Sequence, residues 1–357
     1  MQTYIKFLTY NFLKSLIYVF LIMICLAFIL NLLSELDFFK DINTDNMFPL
    51  LLALLNSPAM IFEMFPFIFL IGTQLFFINL FSNNEIEIFK YSGLKNSKIL
   101  TIISIISILL GIFLTTIFYN FSSNLKNFYI ELKSKYTSDG KYLAVITNNG
   151  LWIKDQLNNN TLIINSSEIK GNYLLNNFIT EFDSNFSIIK NIRSDKIDIS
   201  KKNWVLHDAR IYRKNNYEDK IILNIETNFD YERIQSLYSN LSSLSMLQLI
   251  ELRNNYSNLK LSITDIDLQI LKLITYPIYL FLMTLLSSLI MFSIKRFQIT
   301  TFKIALGLFF SVIIYYINNF FYVLGSTERI PIIIAVFLPL MILISINTMM
   351  IKNINEK

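Results

Sequence analysis

Six long apolar runs, three before residue 121 and three after residue 266, dominate this chain. A transmembrane helix needs about 20 mostly apolar residues, and each run meets that length. The runs lie at about 15–34, 50–81, 98–121, 268–294, 302–324 and 330–351. The 145 residues between the two groups, 122–266, are mostly polar. The pattern predicts a membrane α + β protein in which six transmembrane helices (3+3) flank one extramembrane domain.

The composition agrees with this class and excludes others. Hydrophobic residues make up 54% of the 357 residues and charged residues only 16%, whereas soluble domains are about a quarter charged. The net charge of +5 comes from scattered Lys and Arg residues, so no nucleic-acid partner is expected. The single cysteine, Cys25, lies in the first run and allows no intrachain disulfide. That run has no cleavage pattern and is expected to remain as a span.

The distribution of charge predicts the orientation, because positive residues mark the cytoplasmic ends of spans. The loop after span 1 carries four acidic residues, Glu35 and Asp37 among them, and one lysine, Lys40. The opposite ends of the spans carry Lys6, Lys14, Lys295, Arg296, Lys303, Lys352 and Lys357. Both termini are therefore predicted to be cytoplasmic, with residues 122–266 outside.

Within residues 122–266 the hydrophobic period changes to two, which is typical of strands. Several short strands separated by Asn, Gly, Ser and Asp favour a sandwich, a jelly roll or an open curved sheet. The apolar face is either an ordinary core or the lining of a lipid groove. A connecting helix, capped by Ser242 or Ser245, is predicted before span 4. The predicted strands are 141–147, 150–154, 161–165, 173–182, 196–199, 204–206, 210–213 and 221–226.

No residue pattern for catalysis, a cofactor or a metal is present. The only Gly-Lys pair, Gly140-Lys141, lacks the upstream glycine of a phosphate-binding loop. One histidine, His207, and one cysteine cannot form a zinc site. If ATP drives this protein, another chain must bind the nucleotide.

The loop between spans 2 and 3 predicts a short helix over about 83–93. Glu85 suits the positive end of the helix dipole, and Gly93 can adopt the left-handed stop. Ile86 and Phe89 share one face. Because so short a helix is marginal alone in water, this face should be covered either by lipid headgroups or by a groove on a cytoplasmic partner.

Three of the polar side chains within the apolar runs are candidate functional residues. Glu63 in span 2 should face protein, water or the outer interface, because a carboxylate at bilayer depth costs roughly 2.5–3.5 kcal/mol. Asn318 and Asn319 in span 5 either hydrogen-bond to other helices or line a polar cavity.

Several motifs, in this order, resemble the LptF/LptG permease family. They include Pro58-x4-Glu63-x2-Pro66-Phe67, Asn84-Glu85-x6-Ser92-Gly93, Gly150-Leu-Trp-Ile-Lys-Asp155 and Trp204-Val-Leu206. Pro277 at the start of span 4 and the stretch from Gly307 to Pro339 extend the resemblance over the whole chain. The Gly-Leu-Trp-Ile-Lys-Asp strand looks more like LptG than LptF.

The resemblance implies a subunit, itself no enzyme, that exports lipopolysaccharide from the inner membrane of Gram-negative bacteria. Its implied partners are an LptF-like sister permease, an LptB-like ATPase dimer that uses the ATP, and the single helix of an LptC-like protein. It further implies that the outer domain is a periplasmic β-jellyroll. The three implied regions are 1–121, which includes the short loop helix at about 83–93, then 122–266, which includes the connecting helix, and 267–357.

The resemblance also implies roles for single residues. The loop helix with Glu85, Ile86, Phe89 and Gly93 looks like the helix that docks on the ATPase. Spans 1 and 5 look like lateral gates, so polar residues in or just after these spans are cavity or gate candidates, together with Glu63 of span 2. LptG members often carry lysines near the outer end of span 1, but here the first lysine is Lys40, so phosphate contacts move to Lys126, Lys133 or the sister subunit. The cavity and gate candidates are Asn31, Glu35, Lys40, Glu63, Asn318 and Asn319.

Two other functions remain open at this level. One is a permease or mechanotransmitter for another envelope lipid or lipoprotein. The other is a membrane lipid-modifying transferase, for which only Glu63, Asp37 and Asp41 offer carboxylates near the membrane face.

Overall fold

Long helices precede and follow a central β-sheet, as the sequence predicts. Six of the described helical segments are long and apolar enough to cross a membrane. They begin earlier or end later than the apolar runs, because the helical backbone continues into the polar flanks. The first group is α1 (Thr3–Phe38), α2 (Met47–Ser82), the short α3 (Glu85–Tyr91), α4 (Asn96–Phe113) and α5 (Tyr119–Ser134). The second group is α6 (Met246–Asn258), α7 (Thr264–Ser293), α8 (Thr300–Ser326) and α9 (Ile332–Asn355).

This computed structural model describes residues 3–40, 42, 45, 47–134, 136, 143–147, 150–157, 160–213, 216–231, 234, 240–258, 262–293 and 300–355. Several residues that the sequence analysis used lie outside this set. They are Asp41, Gly140, Lys141, Lys295, Arg296 and Lys357.

The chain divides into two compact units, residues 1–129 with 267–357, and residues 130–266. In the first unit, α2 and α7 are the central helices, since about two thirds or more of the residues in their most apolar stretch are buried. In the other spans, less than a third of the corresponding stretch is buried. Their surfaces are therefore available to lipid or to other transmembrane helices.

Two glycines allow close contacts between helices. A Cβ atom on Gly111 of α4 would lie 2.7 Å from the Cα atom of Pro277 in α7. A Cβ atom on Gly307 of α8 would lie 2.0 Å from the side-chain amide nitrogen, Nε2, of Gln74 in α2. Small residues commonly allow such approaches in membranes, where packing rather than hydrophobic burial joins helices. A π-helical turn at Leu114–Phe118 joins α4 to α5, and the three segments together form span 3. Spans 1 and 2 are α1 and α2, and spans 4, 5 and 6 are α7, α8 and α9.

The second unit contains one seven-stranded antiparallel sheet in which β1 to β7 pair in chain order. Of the alternatives that the sequence left, the described strands show the open sheet, without a Greek-key crossover. One face packs a core around Trp204 and Phe229, and the Trp204 indole N–H donates to the Phe229 carbonyl at 2.7 Å. The strands are β1 (Leu143–Thr147), β2 (Gly150–Leu157), β3 (Asn160–Lys170), β4 (Tyr173–Phe182), β5 (Ile188–Asp198), β6 (Asn203–Arg213) and β7 (Asn216–Glu226).

A crease crosses the sheet where the alternation of buried and exposed residues slips by one position. It passes through Asn176 and Asp208, whose φ angles are +52° and +51°. The carbonyl of His207 accepts a hydrogen bond from the Ser194 hydroxyl at 2.6 Å, beside the interrupted ladder. A polar side chain thus replaces backbone pairing that the bulge removes.

The predicted connecting helix is present as α6, and Ser245 begins it. The Ser245 N–H donates to the Gln248 side chain at 2.8 Å, and the Gln248 N–H donates to the Ser245 hydroxyl at 3.4 Å. This reciprocal pair is a capping box.

Candidate functional site

A polar cluster joins the C-terminal part of span 1 to span 2. The Asn31 side-chain amide N–H donates to the Ser57 hydroxyl at 3.3 Å, and the Asn56 side-chain amide N–H donates to the Asn31 side-chain oxygen, Oδ1, at 3.0 Å. Asn31 is 9% exposed. It therefore serves as a link between two helices of its own subunit, one turn of helix away from Glu35.

Glu35 links span 1 to the end of span 3. Its carboxylate accepts a hydrogen bond of 2.7 Å from the Tyr129 hydroxyl, and the residue is only 2% exposed. A carboxylate buried among apolar helices is costly unless it is hydrogen-bonded, so this contact fixes the relative position of the two spans.

A second cluster of charges brings together spans 2, 3 and 4. The Lys126 ammonium group interacts electrostatically with the Glu63 carboxylate and with the Lys272 ammonium group. Lys272 Nζ also lies 5.6 Å from the centre of the Tyr322 ring in span 5. Glu63 is exposed, whereas the two lysines are half-buried. Two cations and one carboxylate give the cluster a net positive charge, which suits an anionic ligand.

A proline in span 2 creates a hydrogen-bonding need that span 4 meets. Pro66 has no N–H, so the carbonyl four residues earlier, that of Phe62, loses its helical donor. The Tyr276 hydroxyl donates to this carbonyl. The Phe62 and Tyr276 rings stack, with centroids 4.6 Å apart. The contact holds span 2 against span 4 at the turn where Pro66 removes a helical hydrogen bond.

Removing this hydroxyl should destabilise the helix bundle. We expect Tyr276→Phe to lower the free energy of unfolding by about 1–2 kcal/mol, because the Phe62 carbonyl is then buried without a donor. The measurement is an unfolding titration of the purified protein in mixed micelles.

A double-mutant cycle tests the assigned cause. In a Pro66→Ala background the helix can supply its own N–H, so Tyr276→Phe should cost less than half as much. If Tyr276→Phe costs the same free energy in both backgrounds, the hydroxyl does not act by compensating for the hydrogen bond that Pro66 removes.

The loop between spans 2 and 3 contains the predicted short helix, α3. Gly93 has φ +82°, and the Leu94 N–H donates to the Phe89 carbonyl at 2.9 Å, which closes the helix end. Ile86 is 3% exposed, and the Phe89 ring lies 6.1 Å from the Phe7 ring of span 1. These two residues attach the helix to its own subunit.

The outward side of α3 carries different residues from those that the sequence reasoning chose as the apolar contacts. Ile88 is 61% exposed and Tyr91 is 90% exposed. Glu85 is half-buried, and Glu87 is exposed. Asn84 precedes the helix in a left-handed conformation and makes no side-chain capping bond.

Comparison with known families identifies the chain. The family model described as "Lipopolysaccharide export system permease LptF/LptG" matches residues 6–353. This chain belongs to the LptF/LptG family. The match includes both groups of helices and the sheet between them, so the chain is a multi-pass membrane permease of a lipopolysaccharide export family. A search of curated proteins found no match to the chain.

The remaining predicted site residues of this LptF/LptG permease do not join the two clusters. Asn318 is half-buried and Asn319 exposed on α8, and neither side chain hydrogen-bonds to another described residue. Lys40 is exposed just after α1. Lys133 is half-buried in the last turn of α5.

Several residues of these contacts were not found by the sequence analysis. Three of them, Tyr129, Lys272 and Tyr276, are far from their partners in the chain. Pro66 did signal that some donor must reach the Phe62 carbonyl, because a proline always removes that helical bond. Which donor does so depends on how the helices pack.

Proposed function

We propose that this chain is one of two permease subunits of an ATP-driven exporter that extracts lipopolysaccharide from the bacterial inner membrane. It would pass the lipid to a periplasmic bridge of β-jellyroll domains. The observation that carries the proposal is the family match over residues 6–353, together with two sets of three spans around a β-sheet. The sister subunit would be LptF-like if this chain is the LptG-like half.

The driving force would come from an LptB-like ATPase dimer, since we propose that this chain binds no cofactor of its own. The short helix α3 is the proposed contact. Ile86 and Phe89 pack inward, so an inward shift of α3 by the ATPase would press on span 1 through the Phe89–Phe7 contact. Exposed Ile88 and Tyr91 would provide the apolar contact with the ATPase, and Glu85 the polar one.

The proposed lipid contact is the charge cluster of Glu63, Lys126 and Lys272. Lipid phosphates are anions, and the two half-buried lysines, on spans 3 and 4, interact electrostatically with each other. A phosphate would offset their mutual repulsion, which gives the site a preference for anionic lipid headgroups. Lys133 is a further candidate, and an LptC-like helix could pack on the exposed apolar spans.

We propose that both termini and α3 are cytoplasmic and that the sheet is periplasmic, as the bias of Lys and Arg predicts. In a Cys25→Ser background, Lys201→Cys in an exposed turn of the sheet domain should react with a membrane-impermeant maleimide once the outer membrane is permeable. Asn83→Cys, beside α3, should react only after the inner membrane is opened. The reverse pattern would overturn the orientation.

Reconstitution tests the function itself. The chain, a sister permease and the ATPase would be placed in proteoliposomes with lipopolysaccharide. ATP-dependent release of lipopolysaccharide to a soluble β-jellyroll acceptor is the expected result. Release of a lipoprotein instead, or none with an active ATPase, would refute the proposal.

A further inference from the structure

The exposed face of the sheet carries a row of four residues that run directly across neighbouring strands. Trp152 of β2 pairs with Asn165 of β3, Asn165 with Phe178 of β4, and Phe178 with Arg193 of β5. We refer to these four residues as the aromatic row. Because adjacent strands lie about 4.8 Å apart, the row extends over about 14 Å.

The rings of the aromatic row lie open to solvent. Trp152 is 42% exposed and Phe178 is 46% exposed. The residues that follow them in their strands, Ile153 and Ile179, are at most 1% exposed and belong to the core on the other face. The two rings are thus not needed for that core. Large aromatic residues on an exposed sheet face commonly mark a binding surface.

The polar groups beside Phe178 have unused hydrogen-bonding capacity. Within the part of the chain that the structure describes, the Arg193 side chain makes no hydrogen bond or ion pair, whereas the neighbouring Arg210 is bound to Asp219 at 2.7 Å. That bond also holds the pKa of the Asp219 carboxyl below its usual value. The Asn191 amide oxygen is buried and accepts no hydrogen bond from a described residue. Both Arg193 and Asn191 line a shallow cavity with Phe178 and Tyr212.

We propose that the aromatic row, with Asn191 and Tyr212, binds an acidic oligosaccharide on the exposed face of the sheet. Flat rings fit the C–H faces of sugar rings, and the Asn191 amide oxygen can accept a hydrogen bond from a sugar hydroxyl. The Arg193 guanidinium fits a carboxylate or phosphate on the saccharide, for which its planar set of donors is well suited.

This inference rests on the proposed function, because an exported lipopolysaccharide carries a saccharide past the sheet domain. The acyl chains would then not be bound at this face. The exposed face would bind the saccharide, and the acyl chains would lie outside this face. The sheet would thus guide the polar end of the molecule without burying it. Asp195 and Asp208 lie on the far side of Arg193 and line the adjoining cavity. Arg210, Lys220 and Asp219 line the same cavity, so its positive and negative groups are equal in number, whereas Arg193 alone is charged among the described residues that line the cavity beside Phe178. The acid group is therefore expected beside Phe178.

Tryptophan fluorescence can test the proposal in the full-length protein. The chain has two tryptophans, and Trp204 is fully buried while Trp152 is in the row. Quenching by acrylamide should therefore report on Trp152. The probe is deacylated lipopolysaccharide, which keeps its sugars and phosphates, added to the protein in nanodiscs. We expect it to protect Trp152 from quenching.

Variants define the contact. Arg193→Gln and Phe178→Ala should each weaken the apparent affinity about tenfold or more. The matched control Lys201→Gln removes an exposed charge away from the row and should leave it unchanged. Buffer salts containing inorganic phosphate alone should not protect Trp152. If phosphate protects as well as the saccharide does, the site binds anions and not sugars.

Two further outcomes would overturn the proposal. One is no protection by the saccharide in a preparation that still releases lipopolysaccharide with ATP, which leaves the proposed function intact. The other is protection only by a purified jellyroll acceptor protein, which would make the row a protein interface. A preparation that protects Trp152 but never exports lipopolysaccharide would instead count against the proposed function.

Discussion

Replacing Gly111 by valine is expected to lower the free energy of unfolding by about 3 kcal/mol, near the upper end of the usual overpacking cost. A Cβ atom at this position would lie 2.7 Å from the Pro277 Cα atom. The atom that it meets belongs to the backbone and cannot rotate away. Spans 3 and 4 would have to separate, which also strains the Phe62–Tyr276 contact nearby. Gly111→Ala should show a smaller loss, partly offset by the better helix propensity of alanine.

The control is Leu109→Val, two residues away in the same helix. Leu109 is 62% exposed, so this change introduces the same β-branched side chain without a collision. Unfolding in mixed micelles would be compared for both variants. Equal stability of Gly111→Val and Leu109→Val would show that the two helices do not need this contact.

If α3 docks on the ATPase as proposed, Glu85→Ala should weaken binding of that ATPase by tenfold or more and reduce lipopolysaccharide export accordingly. The physical reason is that a charge-assisted hydrogen bond from the first turn of α3 to a basic residue is worth about 1.5–3 kcal/mol. Glu87→Ala is the matched control, because Glu87 lies in the same turn and is exposed. Co-purification of the ATPase and export by proteoliposomes would be measured for both.

The rival explanation is that α3 only lies on lipid headgroups. Loss of an acidic residue would then be harmless, and both variants would keep the ATPase and export normally. Tyr91→Ala adds a separate test of the apolar contact. It should also weaken the ATPase interaction if the exposed side of α3 docks, since this residue is 90% exposed in the isolated chain.

Local sequence signals predicted the helices well and the strands in part. The predicted strand at 173–182 is present with the same bounds. The sequence split β6 into two pieces, 204–206 and 210–213, and found only the end of β5. Both errors fall at the crease. The bulge at Asp208 shifts the alternation by one residue, so a search for a strict period of two breaks there.

The candidate site also has features that the sequence predicted and features that it did not. Gly93 and the acidic first turn of α3 were predictable, because a helix end depends on a few adjacent residues. The orientation of its apolar residues was not, since Ile86 and Phe89 are covered by their own subunit. Periodicity places residues on one face of a helix without saying what covers that face.

Six spans, the change of period between them and the lack of a nucleotide-binding motif follow from the sequence alone, because each depends on composition or spacing within a short segment. The pairing of Glu35 with Tyr129, of Lys126 with Glu63 and Lys272, and of the Phe62 carbonyl with Tyr276 was decided only by the tertiary structure. These partners are between 63 and 214 residues apart in the chain. Which helices meet depends on close packing at small residues such as Gly111, and that packing is a property of the whole bundle rather than of any one segment.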